Sequence, residues 1–328
     1  MIRRTVRLKP EQLKTGEDVH CDKHPRCLVS AAVLSTAMSF AVLCVLLATP
    51  LLSFAQDNRR EIIIDFPSKR PTPKKALPRK PPVYKLAEAR AGSANSPLSA
   101  NAQLGVTVWH LRPAKGTDAG ARTLLSGDER TEYVALRATT DTPLRPEERV
   151  RLSIESAREG YLYVIDRELF ANGQTGPPNL IFPGPRIRGG DNKVRAGRLI
   201  EIPGRDDPRN YFRASPSRKD QTGEVLSIMV TAARLDLRTD DEGIIPASDF
   251  AKWELQWGRG VQRFERVGGA GQPLTDAEKD AGSKSGRRLT QDEPPPQTVF
   301  SSPEEKDDGF MISVTLRYLR PRPKGRSR

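Results

Sequence analysis

Carboxylates are the side chains of this chain that could most readily do chemistry. Asp166 and Glu168 come at the end of the apolar run GYLYVID, and Asp191 stands in the glycine-rich sequence RGGDN. Two carboxylates from different strands can act together as a general acid and a general base. They could equally bind calcium, although RGGDN lacks the dense Asp and Asn spacing of a calcium loop. Because the sequence does not bring these side chains together, we predict no catalytic or metal-binding residue and no cofactor.

A second route to hydrolysis would use histidine. His110 is the only histidine after residue 24, and it lies in the strand-like run LGVTVWHLRP, on the same face as Val106 and Val108. A Ser-His-Asp triad would need it as the base, but no G-x-S-x-G elbow supplies a nucleophile. We therefore predict a histidine in the core or at a sheet edge. Whether Asp166, Asp191 and His110 form one site stays open at this point.

The three cysteines, Cys21, Cys27 and Cys44, all precede Ala55. The stretch HCDKHPRC holds two His and two Cys, but its spacing is wrong for a zinc finger. We predict a charged leader there rather than a metal site, and no disulfide in a chain cleaved after Ala55.

The segment from Gly184 to Arg198 is a basic, glycine-rich loop. It carries five basic side chains around four glycines: Arg186, Arg188, Lys193, Arg195 and Arg198. It matches neither a Walker loop nor a dinucleotide fingerprint. Arginines beside open backbone NH groups could hold a phosphate or a carboxylate, but a solvated basic loop between strands is the favoured interpretation.

Residues 1–55 predict export by a signal peptide or a signal anchor. Basic residues precede an uncharged segment from Leu28 to Gln56, and Ser53 and Ala55 are the small residues of a signal-peptidase site. Segment 28–55 is also long enough to span a bilayer, so cleavage after Ala55 and retention as an anchor both stay open, as does the true start codon. In either case residues after 56 are exported, which predicts a periplasmic or extracytoplasmic protein, secreted or anchored.

Residues 56–103 are predicted to be a disordered, basic, Pro-rich linker, and 321–328 a basic tail. Six prolines and seven Lys or Arg stand between Pro67 and Lys85 with no apolar period, and the whole chain has a formal net charge of +13. Such a linker is either a stiff spacer or an arm that binds an anionic polymer. The partners we expect are an envelope protein or an anionic polymer, with the membrane reached through the leader. Nucleic acid is not expected outside the cytosol.

Alternating apolar residues predict an all-β domain from 104 to 320. In ERVRLSIES the side chains of Val150, Leu152 and Ile154 face one way, which indicates a half-buried strand. Seven strand-like runs separated by Gly and Pro favour an antiparallel sandwich or open barrel. They are LGVTVWHLRP, ERVRLSIES, GYLYVID, NLIFP, NKVRAGRLIEIP, GEVLSIMVTAA and FMISVTLRYL. Residues 268–309 are predicted to be a long irregular excursion that partly covers the sheet.

One or two short helices interrupt the strands. PASDFAKWELQWG places Phe250, Trp253 and Trp257 on one stripe, with Ser248 as the expected N-cap. Such a stripe more often packs on a sheet than forms a ligand platform. A second short helix is predicted at Thr275, where TDAE fits a capping box.

Four blocks of the chain together resemble the bacterial domain of unknown function 4384. They are LGVTVWHLRP, RVRLSIESAREGYLYVIDRE, NLIFPGPRIRGGDNKVRAGRLIEIP and GEVLSIMVTA, and they cover roughly 104–233. The resemblance implies a β-rich fold in an exported, accessory context and carries no known catalytic residues. We therefore expect an exported, non-catalytic binding or scaffold module of the bacterial cell envelope. The alternatives are an envelope hydrolase that uses carboxylates or a Ser/His pair, and an anionic-polymer binder that uses the basic linker.

Overall fold

Antiparallel strands are the main regular secondary structure in the part of the chain that the computed structural model describes. The described residues are 61–62, 70–71, 84–88, 102–118, 122–125, 128–283, 286–304 and 308–319, and all of them belong to one unit, Asp57–Arg328. The leader 1–55, the cleavage position Ala55, most of the linker 56–103 and the tail 321–328 lie outside the described residues. Within the described ranges, no helix is both long and apolar enough to cross a membrane.

Fifteen strands are present in the described part. They are β1 (Glu61–Ile62), β2 (Leu86–Glu88), β3 (Gln103–Pro113), β4 (Arg122–Leu125), β5 (Asp128–Ala138), β6 (Arg149–Ser156), β7 (Gly160–Phe170), β8 (Asn179–Phe182), β9 (Lys193–Val194), β10 (Leu199–Ile202), β11 (Phe212–Arg213), β12 (Gln221–Thr231), β13 (Gln262–Arg266), β14 (Thr298–Ser301) and β15 (Gly309–Arg317).

The strands form two sheets. The first sheet has the order β1-β2-β13-β14-β3-β5-β4, with β6 also paired to β3 and both β10 and β11 paired to β6. The second sheet has the order β15-β12-β7-β8, with β9 also paired to β7. The run NKVRAGRLIEIP, which reads as one strand in the sequence, supplies β9 to the second sheet and β10 to the first.

The main core lies between the two sheets, so the protein is an antiparallel sandwich, as the sequence predicts. Val150, Leu152 and Ile154 of β6 face this core together with residues of β12 and β15 from the second sheet. The alternation of apolar side chains therefore identifies the inward face of each of these strands correctly, because successive side chains of a strand point to opposite faces.

Helix α1 (Ala247–Trp257) covers the outer face of the second sheet. Phe250 and Trp257 are buried there against Tyr163 and Met229, with Trp253 packed at the side. The predicted packing of this aromatic stripe on a sheet is confirmed. The predicted N-cap is wrong, since the helix begins after Pro246, whose backbone carbonyl accepts from the amides of 249 and 250.

Helix α2 (Asp276–Gly282) begins with the capping box that the sequence predicts. The hydroxyl of Thr275 accepts from the amide of Glu278, whose carboxylate accepts from the amide of Thr275. This helix and strand β14 both come from the range 268–309. Strand β14 pairs with β13 on one side and β3 on the other, so part of the expected excursion is an inner strand of the first sheet.

The outer face of the first sheet is buried, although the sequence predicts a half-buried β6. Arg151, Ser153 and Glu155 point away from the core and are each at most 3% exposed. Helix α2 packs over β10 through Ala281. Arg70 reaches the same face from the linker range, where it pairs with Glu155. The predicted half-burial of β6 is wrong, because other segments cover its outer face. Those segments lie far from β6 in sequence, so the pattern within β6 does not reveal them.

Candidate functional site

A cavity of about 430 Å³ lies between the two sheets at one end of the sandwich. Its walls are mainly apolar: Leu144, Val150, Leu152, Ile181, Phe212, Leu226 and Leu316 contribute to them. Asp166, Glu224 and Tyr318 bring polar groups to the same cavity. An apolar hollow with a few convergent polar groups is the usual form of a small-molecule site.

Strand register brings the two carboxylates of this cavity together. In the β7–β12 pair Glu224 lies opposite Glu168, and Leu226 lies opposite Asp166. Glu224 and Asp166 are therefore diagonal neighbours on one face of the sheet, which is within side-chain reach. Because Leu226 faces the core, this is the inward face, and the two carboxyl groups stand where the apolar core meets the cavity.

Each of these carboxyl groups has one oxygen that accepts no hydrogen bond from the described residues while both groups are ionised. Glu224 Oε1 accepts from the Tyr318 hydroxyl at 2.5 Å and from Gln221 Nε2 at 2.7 Å. Glu224 Oε2 and Asp166 Oδ1 are buried, and the described residues offer neither of them a donor while both groups are ionised. A proton on Glu224 supplies the missing donor, since Asp166 then accepts a hydrogen bond from it.

Burial shifts the protonation of this pair. Burial, reinforced by the charge of Glu168, raises the pKa of Asp166 to about 6. Burial and the charge of Asp166 raise the pKa of Glu224 to about 8. Burial also raises the pKa of Tyr318, with the Glu224 hydrogen bond acting in the same direction, so the phenol stays a neutral donor. Near neutral pH the pair therefore holds one proton, on Glu224, and one negative charge, on Asp166.

Basic side chains stand at the mouth of the cavity. Arg209 and Arg213 line it and are exposed. Arg213 forms an ion pair with Glu147 at 3.2 Å, and the hydroxyl of Ser215 donates to the same carboxylate at 2.9 Å. The cavity thus has an acidic inner end and a basic entrance.

The structure separates the three residues that the sequence left open as one site. His110 lies on β3 with its Nδ1 3.1 Å from Glu148 Oε1. Asp191 accepts at 3.1 Å from the amide of Lys193 in a different cavity. Only Asp166 lines the sandwich cavity, where its partner is Glu224 instead.

Glu224 and Tyr318 are the site residues that sequence reasoning missed. Glu224 stands two positions before Leu226 on β12, and Tyr318 directly follows β15, two positions after Leu316, so both continue the inward face that the alternation identifies. A charged residue on the apolar face of a strand was therefore the available signal for Glu224. The position of Glu224 beside Asp166 could not be predicted from the sequence, because it depends on the register between β7 and β12.

In the ranges that the structure describes, no three His, Cys, Asp or Glu side chains are grouped closely enough to hold a metal ion. Comparison of the chain with family models, curated proteins and solved structures finds no match in any of the three. The resemblance to domain of unknown function 4384 stays a prediction.

Proposed function

We propose that this chain is a non-catalytic binding module of the bacterial cell envelope whose ligand lies in the sandwich cavity. One observation carries the proposal: an apolar cavity is lined by two carboxyl groups, Asp166 and Glu224, that hold one proton and one negative charge between them near neutral pH. A charge that is largely removed from water is destabilised unless a hydrogen-bond donor or an opposite charge pairs with it. A ligand that brings such a group to Asp166 would therefore be stabilised in the cavity.

The chemistry of the cavity favours a small amphipathic ligand with an apolar body and an amine. The apolar walls accept the body, and a volume of about 430 Å³ is in the range of small-molecule sites. The negative charge on Asp166 favours an ammonium group, since charge-assisted hydrogen bonds are the stronger ones. Arg209 and Arg213 at the entrance would accommodate a carboxylate or phosphate at the other end of the ligand.

The location of this module outside the cytosol is supported by the order of residues in 1–55. A basic flank, an uncharged segment from Leu28 and small residues at 53 and 55 are the pattern of an export signal. N-terminal sequencing of the protein from a fractionated cell tests this part of the proposal. An intact Met1 on a protein recovered from the cytosol would contradict it.

Three probes that share a benzene ring test the ligand site: benzylamine, benzyl alcohol and benzoate. Binding to the full-length chain is measured by thermal shift and by NMR titration at pH 7. We expect benzylamine to bind most tightly and benzoate most weakly, because of the charge on Asp166. The double variant Asp166→Asn/Glu224→Gln, which keeps the shape of both side chains and leaves no ionisable carboxyl group in the pair, should remove this order of preference.

The matched control is Glu242→Gln, which neutralises an exposed carboxylate away from the cavity. It should leave the order of the three probes unchanged. Equal binding of the three probes to the native chain, or an unchanged preference in the double variant Asp166→Asn/Glu224→Gln, would contradict the assignment of the site.

The second candidate function is a hydrolase that uses carboxyl groups as its acid and base, and the pair Asp166 and Glu224 favours it. With the pKa of Asp166 at about 6 and that of Glu224 at about 8, a base and an acid coexist near neutral pH. Turnover of ester, glycan or peptide substrates, with a bell-shaped pH profile between those values, would support the hydrolase. Binding of amine probes without turnover on any substrate class supports the binding module.

A further inference from the structure

A second cavity, of about 220 Å³, opens beside the turn Arg188–Gly190, and we name it the basic cleft. Its lining residues are Arg188, Asp191, Lys193, Arg195, Arg198, Leu199, Ile200 and Ser283. Four of these are cations, and among the described lining residues Asp191 is the only acid. We propose that the basic cleft binds a phosphoryl group.

The backbone holds Arg188 at one wall of the basic cleft. Arg188 and the two glycines after it all have positive φ, at 52°, 65° and 81°. A non-glycine residue in this region is uncommon and needs support from its surroundings. Asp207 supplies it, since its carboxylate accepts from the amide of Arg188 at 2.8 Å and from the amide of Gly204 at 2.6 Å.

A second tight turn, which carries Arg195 and Arg198, also lines the basic cleft. The amide of Arg198 donates to the carbonyl of Arg195 at 3.1 Å, and Gly197 within the turn has φ 66°. The amide of Gly197 donates to the carbonyl of Ser156 at 2.8 Å, which fixes the turn to the end of β6. Both arginine-bearing walls are therefore set by backbone hydrogen bonds and do not depend on the ligand.

The carboxylate in the basic cleft is already engaged. Asp191 Oδ1 accepts from the amide of Lys193, so it orders the loop and offsets one of the four positive charges. Arg188 Nε is buried and has no hydrogen-bond acceptor among the described residues. An anion in the cleft would reduce the repulsion among the four cations.

Phosphate matches the basic cleft better than a carboxylate does. A phosphate monoester carries up to two negative charges and three terminal oxygens, which suits several convergent guanidinium groups. A carboxylate has one charge and two oxygens and would leave most of the excess positive charge uncompensated. The phosphoryl group could come from a soluble phosphate ester or from a phospholipid headgroup, and the experiment separates these two sources.

Inorganic phosphate is the first probe, titrated by calorimetry and ³¹P NMR into the full-length chain at low ionic strength. Arg195→Gln removes one cation of the cleft, and because this side chain is exposed the fold should be unaffected. We expect it to weaken phosphate binding about tenfold, the loss typical of one charge-assisted hydrogen bond. Arg238→Gln is the matched control, because it removes the same charge from another exposed arginine outside the cleft. It should change the affinity less than about twofold.

Vesicles of phosphatidylcholine, with and without phosphatidic acid, are the second probe. Binding of phosphatidic acid vesicles that Arg195→Gln weakens and Arg238→Gln does not would identify a lipid headgroup as the source. Phosphate binding that depends on Arg195, without such a vesicle effect, would identify a soluble phosphate ester. Absence of saturable phosphate binding, or an equal loss in the two variants, would overturn the proposal.

Discussion

The guanidinium of Arg70 donates two hydrogen bonds to the carboxylate of Glu155, at 2.9 and 2.6 Å, across 85 residues of sequence. Both side chains are 1% exposed. The remaining terminal nitrogen of Arg70 donates to the backbone carbonyls of Thr290, Glu293 and Pro294. An arginine from the basic, Pro-rich range 56–103 is thus part of the folded body, so it is not available to an anionic polymer.

Replacing Arg70 should destabilise the protein strongly. Glu155 lies within β6 and pairs with Gly105 on one side and Leu199 on the other, so it cannot leave the buried face. Arg70→Ala therefore leaves a buried carboxylate without its partner, which costs about 3–5 kcal/mol. Urea unfolding at pH 7 measures the loss.

An exposed pair provides the comparison for Arg70. Arg218 and Asp220 form an ion pair at 2.8 Å with both side chains about half exposed. Arg218→Ala should change the free energy of unfolding by less than about 1 kcal/mol. If Arg70→Ala costs no more than Arg218→Ala, Arg70 is not held at Glu155 in solution.

Glu224→Gln should make the protein less sensitive to alkaline pH. The folded-state pKa of Glu224, about 8, is above its ordinary value of 4.5. The protonated group therefore contributes stability that is complete below pH 4.5 and is lost as the pH rises through 8. Glutamine keeps both an acceptor for Tyr318 and a donor for Asp166, and it does not ionise.

Urea unfolding at pH 5 and pH 9 measures this effect. We expect Glu224→Gln to match the native chain at pH 5 and to exceed its free energy of unfolding at pH 9. The gain should be on the order of 1–2 kcal/mol, because partial exposure of the site screens the charge. Glu242→Gln should retain the native pH dependence. A variant that loses as much stability between pH 5 and pH 9 as the native chain would show that Glu224 is not protonated in the cavity.

Gly309→Ala should displace the end of α1 from the second sheet. A Cβ at Gly309 would lie 2.5 Å from the ring of Trp257, so the indole must move. Overpacking of this kind costs about 1–3 kcal/mol. The expected result is a lower free energy of unfolding together with a red shift in tryptophan emission as Trp257 becomes more exposed.

Gly116→Ala is the control for Gly309, since a Cβ there would contact nothing within 4 Å. It should leave both the stability and the emission maximum nearly unchanged. An unshifted emission maximum in Gly309→Ala would mean that Trp257 does not pack on this residue.

The sequence by itself determined the class of fold and the inward face of its strands. Val150, Leu152 and Ile154 alternate with polar residues, and that period of two places them on one face whatever the rest of the chain does. The aromatic stripe of α1 and the capping box at Thr275 were equally accessible, because each depends on residues within two turns of a helix. The start of α1 after Pro246 differs from the predicted one because no side chain among the described residues caps this helix, so the sequence carries no capping residue that marks its first turn.

Only the tertiary structure decided which residues contact the faces of these strands. Glu155 reads as a solvent-facing residue until Arg70 pairs with it, and Asp166 reads as a carboxylate at the end of an isolated strand until β12 places Glu224 beside it. The arginines of the basic cleft likewise read as a solvated loop until two turns, fixed by Asp207 and Ser156, bring them around one cavity. Each of these neighbourhoods depends on strand register or on a contact between distant segments, and side-chain periodicity within one segment carries no information about either.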